Sequence, residues 1–145
     1  MRRKRFYLAH PFDARVRVRE WEQGIEQRFD IELINPFYDA PGRTDVEEID
    51  AGRAERYEKL IPADLVARDV YQIEQADGTV AIIDGSVSYG TIMEIVYTAV
   101  VYKKPVYIIC TNGHHGHPWL VHHATCVFDT LEQFEGFLLH LSETH

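Results

Sequence analysis

Hydrophobic positions follow two different spacings along the chain, and the two spacings alternate. Short continuous apolar runs are typical of strands covered on both faces, and apolar residues three and four positions apart are typical of one face of a helix. The apolar runs predict five strands, at residues 6–9, 31–34, 79–83, 105–110 and 125–128. The helical spacing predicts helices after Asp13 and over residues 46–60, 62–76, 90–102 and 131–141.

This alternation predicts an α/β fold, a doubly wound (Rossmann- or flavodoxin-like) parallel sheet of five strands with helices on both faces. Asp13 is expected to cap the first helix, and Pro62 suits a first-turn position because its missing N–H has no partner there. Residues 38–44 and 111–118 are expected to form loops. The predicted buried stripes are Val18, Trp21, Ile25 and Phe29; Leu65, Val66, Val70 and Ile73; and Ile92, Ile95, Val96, Ala99 and Val100.

Length and charge narrow the functional classes. The 145 residues fit one domain over 1–145. Lys and Arg number 15 against 23 Asp and Glu, a net charge of −8. This charge argues against a nucleic-acid polymer or an anionic membrane as the main partner, since phosphates are bound by clustered basic side chains. Two cysteines, no signal-peptide pattern and no apolar stretch near the ~20 residues of a bilayer span predict a cytoplasmic protein.

The predicted fold indicates where a ligand would bind. In doubly wound sheets, ligands lie beyond the carboxyl ends of the strands, where the strand order reverses. Residues 10–13, 84–91 and 111–113 follow three predicted strands and are rich in Gly, Ser and polar side chains. We therefore expect a binding crevice there, although the loops of any such fold are polar.

The segment from Ser88 to Glu94 is the sharper signal. Gly90 and Thr91 lie at a predicted helix start, where free N–H groups and the helix dipole attract an anion such as phosphate. At about 100° per residue, Glu94 lies off the apolar stripe and on the side of Thr91 and Thr98, so it can face the crevice. The alternative is an acidic residue that only complements the helix N-terminus, worth about 0.3–1 kcal/mol.

Several segments together resemble one enzyme family. The stretches 76–85, 88–94 and 104–106, with the opening 7–12, resemble the nucleoside 2-deoxyribosyltransferase family. Asp69, eight residues before Asp77, also fits the family pattern. The resemblance runs over residues 7–106 and is closest in motif to the 2'-deoxynucleoside 5'-phosphate N-hydrolase branch.

The resemblance implies roles for three residues. Glu94 would be the nucleophile that attacks C1' of the sugar and forms a glycosyl-enzyme intermediate. Asp69 would protonate the departing base, and Tyr7 would hold the Glu94 carboxylate. Read without the resemblance, Tyr7 is a core aromatic side chain and Asp69 a solvated helix carboxylate. The resemblance implies no metal and no cofactor, and a homodimer or higher homo-oligomer in which Asn112 completes a neighbouring subunit's pocket.

Ser88 points to the substrate. Family members that act on free nucleosides tend to carry an aspartate six residues before the nucleophile, and the monophosphate hydrolases carry a serine. A carboxylate would repel a 5'-phosphate, whereas a hydroxyl beside helix N–H groups accepts it. The hydrolases have small or basic residues where this chain has residues 10–13, so Arg15 or His10 is a candidate for the missing positive charge. The expected substrate-binding residues are His10, Phe12, Asp84, Gly85, Ser88, Gly90, Thr91 and Asn112.

The sequence thus predicts an enzyme that releases the base from (2'-deoxy)nucleoside 5'-monophosphates. The alternatives are a deoxyribosyltransferase that exchanges bases between free nucleosides, and a nucleotide-binding module without turnover. Five of the eight histidines lie between His114 and His123. No Cys or carboxylate lies beside them at zinc-type spacing, so we expect a loop near the substrate mouth or surface residues and no metal site.

Overall fold

The computed structural model describes residues 3–56, 60–85 and 88–143. The strands are β1 (Lys4–Ala9), β2 (Ile31–Ile34), β3 (Gly78–Ile83), β4 (Val106–Cys110) and β5 (Cys126–Phe128). The helices are α1 (Arg15–Arg28), α2 (Asp45–Asp50), α3 (Pro62–Gln75), α4 (Tyr89–Val96), α5 (Pro118–His123) and α6 (Leu131–Glu143). No helix in these three ranges is long and apolar enough to cross a membrane.

The five strands form one sheet in the order β2-β1-β3-β4-β5, and every pair is parallel. Tyr7 in β1 pairs with Ile34 of β2 on one side and with Thr79 of β3 on the other. The strand order reverses between β1 and β3, so the crevice expected of this topology opens beyond their carboxyl ends. The predicted α/β fold with a parallel five-stranded sheet is confirmed.

Helices cover both faces of the sheet. On one face, Val18 and Ile25 of α1 and Phe134 and Leu138 of α6 pack in a buried cluster with apolar side chains of the strands, and Trp21 and Phe29 border it. On the other face, Ile73 of α3 and Ile95 of α4 pack in a second cluster with Tyr7, Ala9 and Ile108. The strands therefore contribute buried side chains to both layers, as their unbroken apolar runs predicted.

Three local predictions are wrong. Asp13 does not cap α1: it lies inside a 3-10 turn, Phe12–Ala14, and Ala14 precedes α1 without a side-chain cap. The helix predicted over 46–60 ends at Asp50, because residues 51–56 form turns and bends; residues 57–59 lie outside the described residues. The loop predicted over 111–118 is followed by a helix that the sequence reading missed, α5.

The buried face of α4 also differs from the predicted stripe. The helix continues as a π-helical segment, Tyr97–Val101. Thr91, Ile95 and Thr98 are buried, whereas Val96 and Val100 are 36% and 54% exposed. The Thr98 hydroxyl contacts Glu94 O at 2.8 Å and Thr79 Oγ1 at 2.7 Å, which turns the threonine side of the helix to the sheet. In α3, Val66 of the predicted stripe is likewise exposed, whereas Ile73 is buried as predicted.

Lys104, between α4 and β4, closes the carboxyl end of α3. Its ammonium group donates to Ile73 O at 3.3 Å, to Ala76 O at 2.7 Å and to Glu74 O. Carbonyl groups in the last turn of a helix lack the usual helical partners; here Lys104 supplies a donor, and Ile73 O also accepts from Ala76 N at 3.1 Å. Next to this junction, a Cβ on Gly78 would lie 2.6 Å from Pro105 O, so β3 and β4 approach closely only because this residue is glycine.

Candidate active site

The centre of the candidate site is a contact between β1 and α4. Tyr7 is fully buried in the sheet, and its hydroxyl donates a hydrogen bond to Glu94 Oε2. Glu94 keeps part of its side chain exposed, one turn into α4. The helical position predicted for Glu94, off the apolar stripe, thus brings its carboxylate to the strand residue that the resemblance paired with it.

Asp69 of α3 lies beside this pair and is held by its neighbour in the chain. Arg68 donates from Nε to Asp69 Oδ1 at 3.1 Å, and its Nη2 lies 3.0 Å from the same oxygen in an ion pair. The same guanidinium group binds both carboxylate oxygens of Asp45, at 2.7 and 3.1 Å. The side chain of Asp69 is 19% exposed, so part of it remains accessible to solvent.

These groups perturb one another's protonation. Burial raises the pKa of Glu94 well above its usual range, and the negative charge of Asp69 raises it further, while the Tyr7 hydrogen bond and Arg68 act against the rise. Burial also raises the pKa of Asp69 to about 6, which Arg68 opposes and Asp45 reinforces. Burial, Glu94 and Asp69 raise the pKa of Tyr7, which therefore stays a hydrogen-bond donor. Two adjacent carboxyl groups with raised pKa values can divide the acid and nucleophile roles between them, the nucleophile acting as the carboxylate.

Ser88 lies at the start of α4 as its N-cap. Its Oγ accepts a hydrogen bond from Thr91 N at 3.4 Å. Gly90 is exposed, and among the described residues a Cβ at this position would meet only Ser88 Oγ, at 3.8 Å. Thr91 is buried, and its Oγ1 has no hydrogen-bond partner in the described part of the chain. Ser86 and Val87 of the predicted crevice loop lie outside the described residues.

Asp84, directly after β3, forms an ion pair with an arginine that was not among the predicted site residues. Arg17 of α1 pairs with Asp84 Oδ2 at 2.7 Å from Nη2. The other oxygen, Oδ1, is buried and has no partner within the described ranges. Gly85 follows with a φ of +79°, a backbone conformation that side chains rarely adopt. Arg17 and Asp84 are 67 positions apart, so no local spacing pointed to the pair.

The two candidates for an extra positive charge, His10 and Arg15, both lie against aromatic rings. His10 is buried, and burial lowers its pKa, which favours the neutral ring. Its Nδ1 lies 3.0 Å from Pro11 O, and its ring packs edge-on against Phe37. Arg15 stacks its guanidinium group 4.0 Å above the ring of Phe12, itself buried. His10 and Phe12 therefore form an aromatic wall after β1.

Asn112, after β4, links two crevice loops of its own chain. Its Nδ2 donates to Gly85 O at 3.1 Å, and its Oδ1 accepts from His114 N at 3.0 Å. Its role toward a neighbouring subunit stays a prediction.

Histidine side chains of the segment 114–123 contact other residues of the same segment. His117 Nδ1 accepts from Trp119 N at 3.3 Å, and His123 Nδ1 lies 2.7 Å from Trp119 O with the two rings stacked. His122 packs edge-on against His123. Across residues 3–56, 60–85 and 88–143, no group of three His, Cys, Asp or Glu side chains is arranged to hold a metal ion.

Three solved structures have a similar fold. A 2-deoxyribosyltransferase of Bacillus psychrosaccharolyticus gives a TM-score of 0.67 at 19% identity, over 90% of each chain. A 2-deoxyribosyltransferase of Leishmania mexicana gives 0.61 at 17% identity, over 94% of this chain and 98% of the other. A CMP N-glycosidase of Clostridium botulinum gives 0.56 at 18% identity, over 96% and 98%.

No protein-family model matches the sequence, and no curated protein matches it significantly. At these identities the three structures establish a shared fold. All three are named as enzymes, two as 2-deoxyribosyltransferases and one as an N-glycosidase of CMP.

Proposed function

We propose that this chain is an N-glycosidase that releases the base from (2'-deoxy)nucleoside 5'-monophosphates through a covalent intermediate on Glu94. The observation that carries the proposal is the contact between the Tyr7 hydroxyl and the Glu94 carboxylate, with Asp69 alongside, at the crevice of a doubly wound sheet. The names of the three similar structures support the same class of chemistry, transfer or hydrolysis at an N-glycosidic bond.

The reaction takes place in two displacements. In the first, Glu94 Oε1 attacks C1' while Tyr7 holds Oε2; the bond from C1' to the base nitrogen breaks, and its electron pair goes to the base. The proton of Asp69 moves to that nitrogen as the base leaves. In the second, water attacks C1', its proton returns to Asp69, and Glu94 leaves as a carboxylate. Asp69 with a pKa of about 6 can serve as acid and then as base near neutral pH.

The surroundings of Ser88 favour a 5'-phosphate. Ser88 and the N-terminus of α4 offer a hydroxyl and N–H groups without a carboxylate at that position. The nearby carboxylate of Asp84 is already paired with Arg17, which reduces its repulsion of an anion. A protein of net charge −8 must attract phosphate through such local groups.

The alternative in the same class is base exchange between free deoxynucleosides, and two of the similar structures are named as 2-deoxyribosyltransferases. In that reaction a second base replaces water at the glycosyl-Glu94 intermediate. A nucleotide-binding module without turnover is the remaining alternative. It gives no use to the Asp69 and Glu94 pair, because binding alone does not need two neighbouring carboxyl groups with raised pKa values.

We further propose that the chain acts as a homodimer or higher homo-oligomer. Met93, Val96, Tyr97, Val100 and Val101 are exposed along α4 and the π-helical segment. A contiguous apolar surface of this kind is typical of a protein interface. Light scattering that gives the mass of one chain would contradict the assembly.

We also propose a cytoplasmic location. The free thiols of Cys110 and Cys126 support such a reducing setting.

One assay separates the three functions. The protein is incubated with deoxynucleosides and with deoxynucleoside monophosphates, each with and without a second free base, and products are resolved by chromatography. Free base from monophosphates is the expected result. Exchanged nucleosides would establish the transferase, and binding without product the non-catalytic module.

A matched pair of variants tests the nucleophile. We expect Glu94→Gln, which keeps an oxygen for Tyr7, to lower turnover by about 10³-fold or more. Glu20→Gln, an exposed position on α1, should leave turnover unchanged. A 2'-fluoro monophosphate should leave its sugar phosphate attached to the wild-type chain, detected by intact mass, and not to Glu94→Gln. An active Glu94→Gln protein would refute the mechanism.

A further inference from the structure

Arg68 lies between two carboxylates that come from different parts of the chain. Toward α2 it binds Asp45 through both oxygens, at 2.7 and 3.1 Å. Toward its own helix it binds Asp69, and both contacts go to the same oxygen, Oδ1. The Asp45 side chain is 1% exposed and that of Arg68 17%, so this arrangement is an internal one and differs from a solvated surface ion pair.

Asp45 is itself fixed by the way α2 begins. It is the first residue of that helix, directly after Thr44, whose hydroxyl accepts from Glu47 N at 3.2 Å. In return, Thr44 N donates a hydrogen bond to Glu47 Oε2 at 3.3 Å, which completes a capping box. The anchor for Arg68 is therefore a helix terminus with a defined geometry.

We propose that Arg68 and Asp45 are positioning residues: Asp45 anchors the Arg68 guanidinium, and Arg68 holds Asp69 by Oδ1, so that Oδ2 carries the proton for the departing base. This inference rests on the proposed function. A planar guanidinium group that binds carboxylates on two sides fixes direction as well as distance. Proton transfer requires such orientation, since the acid must lie within hydrogen-bond reach of the leaving nitrogen.

The same pair sets the electrostatic balance of the acid. The charged and titratable groups that face Asp69 are Arg68 on its own helix, Asp45 of α2, Glu94 of α4 and, through Glu94, Tyr7 of β1. Arg68 lowers the pKa of both Asp69 and Glu94, and Asp45 raises both. Removing Arg68 and removing Asp45 must therefore move the pH dependence of catalysis in opposite directions.

The test compares two neutral substitutions in the full chain. For Arg68→Gln we expect kcat to fall by about 10- to 100-fold, with KM less affected, and the pH–rate profile to move to higher pH. For Asp45→Asn we expect a smaller loss and a profile moved to lower pH. Arg68→Lys retains the positive charge but lacks the planar guanidinium group that binds two carboxylates. It should therefore keep the wild-type pH profile and show a lowered kcat. Arg53→Gln, in a separate ion pair with Glu48, is the matched control and should change neither.

The double variant Asp45→Asn with Arg68→Gln removes both charges, so Asp45 is not left as a buried carboxylate without its cation. Its pH profile should return toward that of the wild type while kcat stays low, a coupling that a purely structural role does not produce. Equal shifts of both single variants in one direction, or no shift, would overturn the inference.

A readout without turnover separates this inference from the proposed function. The carboxyl ¹³C resonance of Asp69, assigned by its loss in Asp69→Asn, should titrate at higher pH in Arg68→Gln and at lower pH in Asp45→Asn. If wild-type protein releases no base although these shifts occur, the proposed function fails and the electrostatic arrangement stands. If base is released but Asp69 titrates unchanged in both variants, the positioning pair fails and the function stands.

Discussion

Tyr7 in β1 and Glu94 in α4, 87 positions apart in the sequence, are joined by a hydrogen bond from the tyrosine hydroxyl to the carboxylate. The tyrosine is buried in the sheet, so the glutamate is oriented by a rigid element. A carboxylate held in this way cannot rotate freely away from a sugar bound in the crevice.

Replacing Tyr7 by Phe removes only the hydroxyl. A hydrogen bond to a charged group contributes about 1.5–3 kcal/mol, so we expect kcat/KM to fall by about 10- to 100-fold. Because this hydrogen bond lowers the pKa of Glu94, its loss should move the acid limb of the pH–rate profile to higher pH. Tyr107→Phe, a half-buried tyrosine of β4, is the control. An acid limb that stays in place would contradict the contact.

Replacing Asp69 by Asn should expose the role of the leaving group. With ordinary bases we expect a loss of about 10²- to 10⁴-fold, the usual contribution of a general acid. With a 7-methylguanine nucleotide, whose base is already cationic, the loss should be within about tenfold, since departure needs no proton. The measurement is base release from the two substrates, with Asp64→Asn in the exposed first turn of α3 as control. Equal losses on both substrates would assign Asp69 another role.

Ser88→Asp tests the phosphate site without removing the helix cap, because Asp is as good an N-cap as Ser. The added carboxylate should repel a 5'-phosphate, and we expect kcat/KM for monophosphates to fall by about 10²-fold. Free nucleosides should change by less than about tenfold. Ser88→Asn, a neutral cap, should retain most of the monophosphate activity. A uniform loss on both substrate classes would place the phosphate elsewhere.

Glu22 of α1 predicts how stability depends on pH. Its side chain is 0% exposed, and burial raises the pKa of Glu22 to about 7, against the opposing effects of Asn35 and Arg19. The folded chain therefore binds this proton more tightly than the unfolded chain, so this contribution is lost as pH rises from about 4.5 through about 7.

Glu22→Gln cannot ionise at this position, so its stability should not show that loss as pH rises. Relative to wild type, its free energy of unfolding should increase by on the order of 3 kcal/mol between about pH 4.5 and pH 8. Urea unfolding at the two pH values measures this difference, and the exposed Glu20→Gln should show none.

The strands could be predicted because each is a buried apolar run, and β2 has the predicted bounds, Ile31–Ile34. Helix ends were harder to predict, since they depend on local competition. The chain leaves α2 after Asp50, and α5 is a single short turn in a Gly- and His-rich stretch that carries no apolar periodicity.

Within the site, helical spacing and the family resemblance predicted roles for Glu94, Asp69 and Tyr7, and the structure places these three residues near one another. Neither identified the ion pairs that surround these residues. Arg17 meets Asp84 across 67 positions, and Arg68 meets Asp45 across 23. Periodicity reports which face of its own element a side chain occupies, but the identity of a distant partner depends on how the elements pack.

The contacts of Lys104 with the last carbonyl groups of α3 have a consequence for local opening. Arg68 and Asp69 lie on that helix, and its carboxyl end is closed by Lys104, two positions before β4 begins. The end of α3 therefore cannot fray unless the junction with β4 opens as well. Amide hydrogens in the last turn of α3 should exchange with solvent as slowly as those of the central strands, instead of at the faster rate typical of a helix terminus.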